Sequence, residues 1–453
     1  MATLPRDFAM LNKRQFIRAL GNVAAAGAVA MSPMLASAQK NRPPVDDVLA
    51  AYGGSEDSAA WRNHAADNIE TLRKGNFGIQ VLDASGKPVP NTEIHAKLYR
   101  HDFGFGAALR LPRLFDNKYS SELRGQYLDI CQQQFHKFTP VNALKWKHFE
   151  KHEPYIESFL AWSETISAPV RGHCLYWPSF RRVPKEIQNY RDNEKQFAKV
   201  LLAHGKRMVK KYGGPVTEWD VLNEPFRDNE FMEILGKDVV IDWFKAVEKA
   251  NPKVIRYIND YGILTKNTKK HRDFYFDYIQ RLLKRNTPIQ GIGFQSHIPQ
   301  GVKPTAPAKL LSIMDRFATL GLPLQVTEFD FEHGDEDFQA RYTHDFLTAV
   351  FSHPAMVGLV NWTPFEFAFN SVSKPAAALY DRNLRRKPNG DVWHELINKA
   401  WSTDIKLVSD KEGMVYFRGF KGLYHINAAA GSASSRFQLQ LKDANVLAEI
   451  NFS

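Results

Sequence analysis

The stretch Val216-Thr-Glu-Trp-Asp-Val-Leu-Asn-Glu-Pro225 joins a short apolar run directly to a cluster of amide and carboxylate side chains. Residues 216–222 have the length and the Val, Trp and Leu content of a buried strand. Asn223 and Glu224 follow at the carboxyl-terminal end of that strand. In barrel folds this end carries the catalytic groups, so the stretch predicts both a buried strand and a functional pair of residues.

The same arrangement recurs through residues 101–398. A short apolar run, a cluster rich in Asn, Glu, His and Trp, and a longer amphipathic stretch follow one another eight times. The apolar runs are residues 103–109, 135–139, 170–175, 216–222, 254–258, 289–294, 324–326 and 357–361. Eight strands alternating with helices predict an α/β fold, a (β/α)8 TIM barrel, with most of the polar clusters at its carboxyl-terminal rim.

Segments on either side of the barrel have a strand pattern of their own. Residues 39–100 form an N-terminal extension with a helical pattern up to Gly75, followed by alternation at 77–81 and 94–98 around a turn-rich segment, which predicts a hairpin. Residues 399–453 return to strand periodicity. We expect this C-terminal β segment to pack with the hairpin as one small β-rich module.

Residues 1–38 have the composition of an export signal. Lys13-Arg-Gln-Phe-Ile-Arg18 precedes the apolar stretch 19–30, and Ala36-Ser-Ala38 offers a small-residue cleavage site. The basic motif resembles the twin-arginine type, with an ordinary secretory signal as the alternative. We therefore expect an exported protein, periplasmic or secreted, and no later stretch has the ~18 apolar residues of a membrane span.

Composition excludes several classes of protein. The 453 residues are 44% hydrophobic and 24% charged, which excludes disordered, collagen-like and disulfide-scaffold chains. The net charge of +11 comes from scattered basic residues rather than a run, so we expect no nucleic-acid partner. No phosphate-binding glycine motif is present, and His148-Phe-Glu-Lys-His152 lacks the order of a zinc protease. We expect no cofactor, no metal and two buried thiols, Cys131 and Cys174.

Two strand ends each present a carboxylate, Glu224 after the fourth strand and Glu328 after the seventh, in Val326-Thr-Glu-Phe-Asp330. Hydrolysis of a sugar bond requires two carboxyl groups across one bond, one protonated to assist the leaving group and the other ionised to attack. Each glutamate directly follows an apolar strand and has amide or aromatic neighbours. This context favours a functional site over two solvated surface residues.

Six motifs rich in polar and aromatic residues occur along the chain: Asn142-Ala-Leu-Lys-Trp146, Arg171-Gly-His-Cys-Leu-Tyr-Trp177, Asp220-Val-Leu-Asn-Glu224, Asn259-Asp-Tyr261, Gly293-Phe-Gln-Ser-His297 and Thr327-Glu-Phe-Asp330. In the same order, they resemble the motifs of glycoside hydrolase family 10, the endo-β-1,4-xylanase family. The resemblance covers the chain from about Lys74 to the end of the barrel. It implies a retaining glycosidase that cleaves internal β-1,4 bonds of xylan.

The resemblance also implies a role for each matching residue. Glu224 would be the acid/base and Glu328 the nucleophile, so Glu224 should lie in drier and less cation-rich surroundings. His297 and Asp330 would form a hydrogen-bonded chain with the nucleophile, and Asn223 would bind the sugar 2-hydroxyl. The residues expected to contact sugar hydroxyls or line the cleft, or to stack on sugar rings, are Asn142, Lys145, His173, Gln295, Trp177 and Trp362.

Three departures from the family pattern affect the substrate more than the reaction. Val141 stands where the family often has Glu, and Pro178 replaces a frequent His. The segment from Trp362 has no second Trp, and Phe367 or Phe369 would supply the wall instead. The alternatives are another β-1,4-glycanase, acting on glucan or a decorated heteroxylan, and an inactive glycan-binding protein. In each case the expected partner is a polysaccharide, bound by a monomer.

Overall fold

The computed structural model describes residues 59–117, 119–265, 268–366 and 375–452. Within them the chain forms two compact units, a barrel of residues 104–394 and a module of residues 59–103 and 395–452. The predicted export signal, the first part of the N-terminal extension, and Phe367 and Phe369 lie outside the described residues.

Eight parallel strands close into a barrel in which each strand pairs with its two neighbours along the chain. They are β3 (Gly104–Leu109), β4 (Lys137–Pro140), β5 (Val170–Gly172), β6 (Val216–Asn223), β7 (Ile255–Asp260), β8 (Gly291–Phe294), β10 (Leu324–Phe331) and β11 (Met356–Asn361). Pairing of β11 with both β10 and β3 completes the closure. A short strand, β9 (His297–Ile298), pairs with β10 beyond the rim.

Helices connect the barrel strands, as the amphipathic stretches predict. They are α2 (Leu111–Phe115), α3 (Ser121–Gln134), α4 (Phe149–Thr165), α5 (Glu194–Tyr212), α6 (Glu230–Leu235), α7 (Val239–Ala250), α8 (Lys269–Lys284), α9 (Pro307–Ala318), α10 (Glu336–Ser352) and α11 (Pro388–Trp393). Single turns of 3-10 helix span Phe180–Arg182, Lys185–Tyr190 and Pro375–Ala377, and a π-helical turn spans His394–Ala400. Side-chain caps at Ser120, Asn193 and Asp335 begin three of the long helices.

The predicted barrel is confirmed, and every predicted strand begins within two residues of the observed one. Two strand ends differ from the prediction by more than two residues. The third strand ends at Gly172 rather than at residue 175, although the amides of Leu175 and Tyr176 still donate to carbonyls of β6. The seventh strand continues to Phe331 because residues beyond Val326 pair with β9 and β11. This extension carries Glu328 and Asp330 into the rim.

The second unit is the predicted β-rich module of N- and C-terminal segments, and it contains two sheets. Its strands are β1 (Lys74–Asp83), β2 (Glu93–His101), β12 (Asp404–Val408), β13 (Met414–Phe420), β14 (Gly422–Ala430), β15 (Ala433–Leu441) and β16 (Asn445–Phe452). They are preceded by α1 (Ala59–Asn68) and a π-helical turn, Ile69–Arg73. One sheet has the order β13-β1-β16 and the other β12-β2-β14-β15.

The predicted hairpin between residues 77–81 and 94–98 is wrong. β1 lies between β13 and β16, whereas β2 lies between β12 and β14 in the other sheet. Alternation and turn residues identify the two strands, but they carry no information on pairing with residues more than 300 positions away. In the observed sheets each of the two strands is an interior strand with neighbours on both sides, so neither leaves an open edge.

Aromatic residues form the core of the module. The Phe77 ring meets Phe417 and Tyr424 edge-on, with ring centroids 5.4 Å and 5.9 Å apart. All three side chains are almost completely buried, and Phe420 is 3% exposed. The aromatic segment of β13 and β14 therefore contributes to packing within this unit.

Cys131 and Cys174 are both buried free thiols, as predicted. Among the described helices, none is both long enough and apolar enough to cross a membrane.

Candidate active site

A cavity of about 390 Å³ lies where the barrel strands end. Nine of the eleven residues predicted for the site line it: Asn142, Lys145, His173, Trp177, Glu224, Gln295, His297, Glu328 and Trp362. The other two, Asn223 and Asp330, are completely buried and contact residues that line the cavity. Residues at or after the carboxyl-terminal ends of all eight barrel strands line this cavity, which is the placement that the barrel fold predicts.

Glu224 lies in a tight turn directly after β6. Its φ of 54° is in the left-handed region, which is uncommon for a residue with a side chain and marks local strain. Its amide donates to the Asn259 carbonyl at 2.9 Å, and its carbonyl accepts from the amide of Asp228 at 3.0 Å. These bonds fix the backbone so that the carboxyl group faces the cavity.

The Glu224 carboxyl group has one neutral and one cationic partner. Gln295 Nε2 donates to Oε1 at 3.1 Å, and Arg227 Nη2 donates to Oε2 at 2.5 Å. Burial raises the pKa of Glu224, and the hydrogen bond from Gln295 and the charge of Arg227 offset only part of that rise. A carboxyl group with a raised pKa is suited to hold a proton.

Glu328 is surrounded by cations and hydrogen-bond donors. Its Oε2 lies 3.1 Å from His297 Nε2, and its Oε1 accepts from Asn259 Nδ2 at 3.1 Å and lies 3.9 Å from His173 Nδ1. Burial alone raises the pKa of Glu328, but His173, His297 and Lys145 outweigh burial and lower the pKa to about 2. Glu328 is therefore ionised at neutral pH.

The difference in pKa between the two glutamates comes from the residues around them. Glu224 is 6% exposed and Glu328 is 4% exposed, so the expectation that Glu224 lies in drier surroundings is wrong. The expectation that Glu224 faces fewer cations agrees with the contacts above. Neighbouring charge, rather than burial, thus separates the two pKa values.

His297 bridges Glu328 and a buried aspartate. Its Nδ1 lies 3.0 Å from Asp330 Oδ1, and the other Asp330 oxygen accepts from the Thr363 hydroxyl at 3.1 Å. Burial alone lowers the pKa of His297, but Asp330 and Glu328 outweigh it and raise the pKa to about 9. The imidazolium donates to a carboxylate on each side, which orients Glu328 and stabilises its charge.

A chain of side-chain amides connects the two glutamates. Asn259 Nδ2 donates both to Glu328 and to Asn223 Oδ1, the latter at 3.0 Å. Gln295 Nε2 approaches the same Asn223 oxygen at 3.4 Å while it donates to Glu224. Asn223 Nδ2 is buried without a hydrogen-bond partner, so this amide retains a donor.

Ion pairs lie inside the barrel next to the site. His173 Nδ1 is 2.8 Å from Asp220 Oδ2, and Asp220 also accepts from Arg171. Arg171 and Lys137 both contact Glu218, at 3.3 Å and 3.0 Å. This network holds the ring of His173 through its Nδ1 atom, in the way that buried ionic groups are held by satisfied partners.

Trp177 and Trp362, the two residues expected to stack on sugar rings, have different surroundings. Arg182 Cζ lies 3.6 Å from the centre of the Trp177 ring, and Lys145 Nζ lies 5.0 Å from it. Lys145 Nζ also donates to Asn142 Oδ1 at 3.0 Å. Cations thus lie against Trp177, whereas Trp362 packs on an apolar cluster and meets the His173 ring edge-on.

Sequence reasoning assigned no role to Asn259, Asp220, Arg227 or Arg110. Asn259 stands directly after the apolar part of its strand, the same signal that identified Glu224, and it could have been found in that way. Arg227 is three residues after Glu224, a spacing that brings two side chains together in a helical turn. Asp220 lies inside an apolar run, so the pattern assigned it to the buried strand rather than to the site. Nothing in the local sequence pattern indicated a role for Arg110.

Chemically, the cavity combines a carboxyl group with a raised pKa and a carboxylate with a lowered pKa, which is the combination that retaining glycoside hydrolysis requires. Among the described residues, no group of three or more His, Cys, Asp or Glu side chains is arranged to hold a metal ion.

The sequence is similar to a known family of glycosidases and to individual proteins. The family model for glycosyl hydrolase family 10 matches residues 95–394. The chain is 26% identical over 84% of its length to anti-sigma-I factor RsgI6 of Acetivibrio thermocellus, and covers 48% of that protein. It is 23% identical over 83% of its length to endo-1,4-beta-xylanase 1 of Arabidopsis thaliana, and covers 39% of it. The chain thus spans half or less of the length of these relatives.

Native xylanase 10B from Thermotoga maritima has the same fold, with a TM-score of 0.57 and 25% identity over 66% of this chain and 96% of that one. The family match covers the whole barrel, which holds the two glutamates and the six motifs of the site. The chain belongs to glycosyl hydrolase family 10.

Proposed function

We propose that this chain hydrolyses internal β-1,4-xylosidic bonds of xylan with retention of anomeric configuration. Glu224 acts as the general acid/base and Glu328 as the nucleophile. Membership of the family and similarity to the xylanases named above support the substrate class. The single observation that carries the mechanism is the opposite direction of the two pKa shifts in one cavity.

In the first step, the Glu328 carboxylate attacks the anomeric carbon while the glycosidic C–O bond breaks. Glu224 gives its proton to the departing sugar oxygen, so a covalent glycosyl–Glu328 ester remains. In the second step, a water molecule attacks the same carbon and gives its proton to Glu224, and Glu328 leaves as a carboxylate. Asn259 and His297 hold Glu328 at the nucleophilic position during both steps.

Proton NMR of xylan digestion tests substrate, activity and stereochemistry together. We expect newly formed reducing ends to appear first as the β-anomer and to mutarotate later. Initial appearance of the α-anomer would show inversion and would exclude a covalent intermediate on Glu328.

A second candidate is a β-1,4-glycanase for another backbone. Val141 supports it, because it packs with Ala108 and Val360 in an apolar cluster under Trp362 and offers no hydrogen bond to a sugar. A panel of xylan, β-glucan and carboxymethylcellulose decides between the two candidates. Release of reducing ends from the glucans and not from xylan would favour this second function.

We further propose that the protein is exported, to the periplasm or the medium, and acts on the polysaccharide as a monomer. The basic and apolar pattern of residues 1–38 supports export. Mass spectrometry of the mature protein should find an N-terminus near residue 39, and light scattering should give the mass of one chain. An intact N-terminus in the cytoplasmic fraction would contradict export.

A further inference from the structure

Arg227 is one of three cationic residues that line the catalytic cavity, the others being Arg110 and Lys145. It stands next to the group that must carry a proton, because its Nη2 donates to Glu224 Oε2 at 2.5 Å. A guanidinium at this distance favours the ionised carboxylate, which opposes the role of Glu224 as an acid. The same nitrogen also lies 3.6 Å from Oδ2 of Asp228, so Arg227 is shared between two carboxyl groups.

Asp228 is held in a fixed position behind Glu224. Its amide donates to the Glu224 carbonyl at 3.0 Å, which places both residues in one turn after β6. Asp228 is 3% exposed, and its carboxylate also accepts from Arg181 and from Arg182 Nε, the latter at 3.3 Å. Burial of a carboxylate is unfavourable unless cations or hydrogen-bond donors surround it. Here three guanidinium groups converge on one buried carboxylate.

Arg182 connects the same carboxylate to the wall of the cavity. Its Cζ atom lies 3.6 Å from the centre of the Trp177 ring, so the guanidinium lies over the indole. Trp177 and Glu224 both line the cavity. Because Asp228 holds Arg182, it also restricts the indole that the guanidinium covers. Asp228 is thus linked, through one arginine each, to the acid/base and to an aromatic wall of the cleft.

We propose that Asp228 is a positioning residue with two effects on the reaction, each transmitted by one arginine. By sharing Arg227, it leaves less positive charge on Glu224 and helps the acid/base to keep its proton until the leaving group takes it. By holding Arg182, it keeps Trp177 in the orientation that the sugar meets. The inference rests on the proposed function for the role of Glu224, and it gives Asp228 no contact with the reacting atoms.

The first effect is tested by the pH profile of Asp228→Asn, which keeps the shape of the side chain and removes its charge. Arg227 then interacts more strongly with Glu224, so the pKa of Glu224 should fall. Because the reaction needs protonated Glu224, the alkaline limb of kcat/KM should move to lower pH. A shift of about 0.5 to 1 pH unit is expected for one charge several ångströms away in partly solvated surroundings. An unchanged limb would overturn this effect.

A double-mutant cycle shows whether the effect passes through Arg227. The shift caused by Asp228→Asn should be much smaller when the same substitution is made in Arg227→Gln. An equal shift in both backgrounds would overturn the assignment to Arg227. The other titratable groups that face Glu224 are unchanged in these comparisons: Glu328, Asp260, Lys145, Cys174 and Tyr261.

Two further variants separate this effect from changes in net charge and in folding. Asp238→Asn is the matched control, because Asp238 also pairs with two arginines, Arg281 and Arg285, and it should leave the limb unchanged. The double variant Arg181→Gln/Asp228→Asn keeps the net charge and removes one of the guanidinium groups left without a partner, so it also serves if Asp228→Asn alone does not fold. It should still move the limb to lower pH. An equal shift in Asp238→Asn, or no shift in the double variant, would make net charge the cause and overturn the inference.

The second effect is tested by KM and kcat on a short xylo-oligosaccharide. Asp228→Asn releases Arg182, so KM should rise by about threefold to tenfold, a loss of the size of one cation–π contact. Arg182→Gln should raise KM to a similar extent without moving the alkaline limb to lower pH, and Arg182→Lys should restore part of the loss. An unchanged KM in Asp228→Asn or in Arg182→Gln would overturn the link to Trp177.

Failure of the inference is distinguishable from failure of the proposed function. If the wild type hydrolyses xylan and Asp228→Asn has the same alkaline limb and the same KM, the inference is overturned and the proposed function stands. If the wild type does not hydrolyse xylan, the proposed function is contradicted, and NMR titration of isotopically labelled glutamate carboxyl groups decides the inference without turnover. A lower pKa of Glu224 in Asp228→Asn than in the wild type supports it, and equal pKa values overturn it.

Discussion

Glu224 and Glu328 differ in pKa because of the charges and the hydrogen-bond donors around each carboxyl group, His173, His297 and Lys145 being the cations near Glu328. His297 and Asn259 both donate to Glu328, so ionisation gains two charge-assisted bonds. Glu224 receives one bond from a neutral amide and one from Arg227. Single substitutions at these contacts should therefore change the two steps of the reaction in different ways.

Glu224→Ala tests the acid/base role. We expect a severe loss of activity on xylan, whose leaving group requires a proton, and a much smaller loss in glycosylation by an activated aryl xyloside. Azide should restore turnover and yield the β-glycosyl azide, because it attacks the intermediate without a base. Glu328→Ala is the matched control and should yield the α-azide. Equal, unrescued loss on both substrates would remove Glu224 from this role.

Arg227 should set the alkaline limb of the pH profile. Its guanidinium favours the ionised form of Glu224, so Arg227→Gln should raise the pKa of Glu224 further. Because the reaction needs protonated Glu224, the alkaline limb of kcat/KM should move to higher pH in Arg227→Gln, and Arg227→Lys, which keeps the positive charge, should show a smaller shift. Arg181, which pairs with Asp228, supplies the control Arg181→Gln.

Other titratable groups near Glu224 are present in all these proteins. They are Glu328, Asp260, Lys145, Cys174 and Tyr261. An unchanged alkaline limb in Arg227→Gln, or an equal shift in Arg181→Gln, would show that the ion pair with Glu224 does not tune the acid.

His297 and Asp330 should act on the nucleophile as one unit. His297→Ala should lower the rate on every substrate, by roughly 10²-fold or more, because Glu328 loses a donor and its orientation. Asp330→Asn acts through the same imidazole, so the double variant should be little slower than the slower single variant. Kinetics on a xyloside and thermal melts are the measurements. If the losses of activation free energy in the two single variants add up in the double variant, or if His297→Ala lowers Tm and leaves the rate normal, His297 is a packing residue.

At the scale of the strand, glycines keep the rim side chains in position. A Cβ at Gly293 in β8 would lie 2.5 Å from Asn259 Oδ1, the side chain that donates to Glu328 and Asn223. Gly293→Ala should therefore lower kcat of the folded enzyme as well as Tm. Gly358→Ala in β11 is the matched control, because its Cβ would meet Gln325 Oε1, which accepts from Lys137 inside the barrel, while Nε2 of the same side chain donates to Glu218.

The measurement pairs thermal melts with kcat per folded molecule. We expect both glycine variants to lose stability and only Gly293→Ala to lose kcat by tenfold or more. Comparable kcat losses in the two variants would indicate a general loosening of the barrel rather than displacement of Asn259.

The barrel strands could be located from sequence because each is a short buried run between polar segments. Burial on both faces makes a run such as β8, residues 291–294, apolar enough to recognise without knowledge of its neighbours. The pairing of β1 and β2 could not be recognised in this way. Their partners begin at residue 404, and the pattern within a strand does not identify a partner across the chain.

The site residues also differ in whether a local sequence pattern identifies them. Glu224 and Glu328 follow strands directly and could be located from that position and from the family motifs. Arg110 acquires its surroundings from contacts between separate strands, with Val141 as its neighbour across the strand pair. Such contacts depend on the register of neighbouring strands. The sequence around such a residue therefore does not indicate that it belongs to the site.

At the scale of the whole barrel, buried charges make stability depend on pH. Burial raises the pKa of Glu218, but Lys137 and Arg171 outweigh it and lower the pKa to about 2. The folded-state pKa lies below the unfolded value of about 4.5, so this stabilisation is complete above pH 4.5 and is lost as the pH falls towards 2. Glu328, with a pKa also lowered to about 2, adds to the same trend.

Glu218→Gln should destabilise the barrel by several kcal/mol at pH 7, because Lys137 and Arg171 lose their buried counter-charge. Between pH 5 and pH 3 its Tm should fall less than that of the wild type. Glu248→Gln removes an exposed partner of Arg256 and is the control. Its Tm should fall between pH 5 and pH 3 by as much as that of the wild type. Seven of the nine tryptophans lie in residues 104–394, the other two being Trp61 and Trp401, so intrinsic fluorescence follows the barrel. Parallel Tm curves for wild type and Glu218→Gln would contradict this account.

The interleaved strands of the module have a consequence for how the protein is made. In the described part of the chain, the strands that pair with β1 and β2 all come from residues 404–452, on the far side of the barrel in sequence. A ribosome therefore delivers β1 and β2 some 300 residues before any neighbour exists for them. Until translation reaches the last strands, both remain open edges that other nascent chains can extend, so premature termination within the final 50 residues releases an aggregation-prone product even when the barrel is complete.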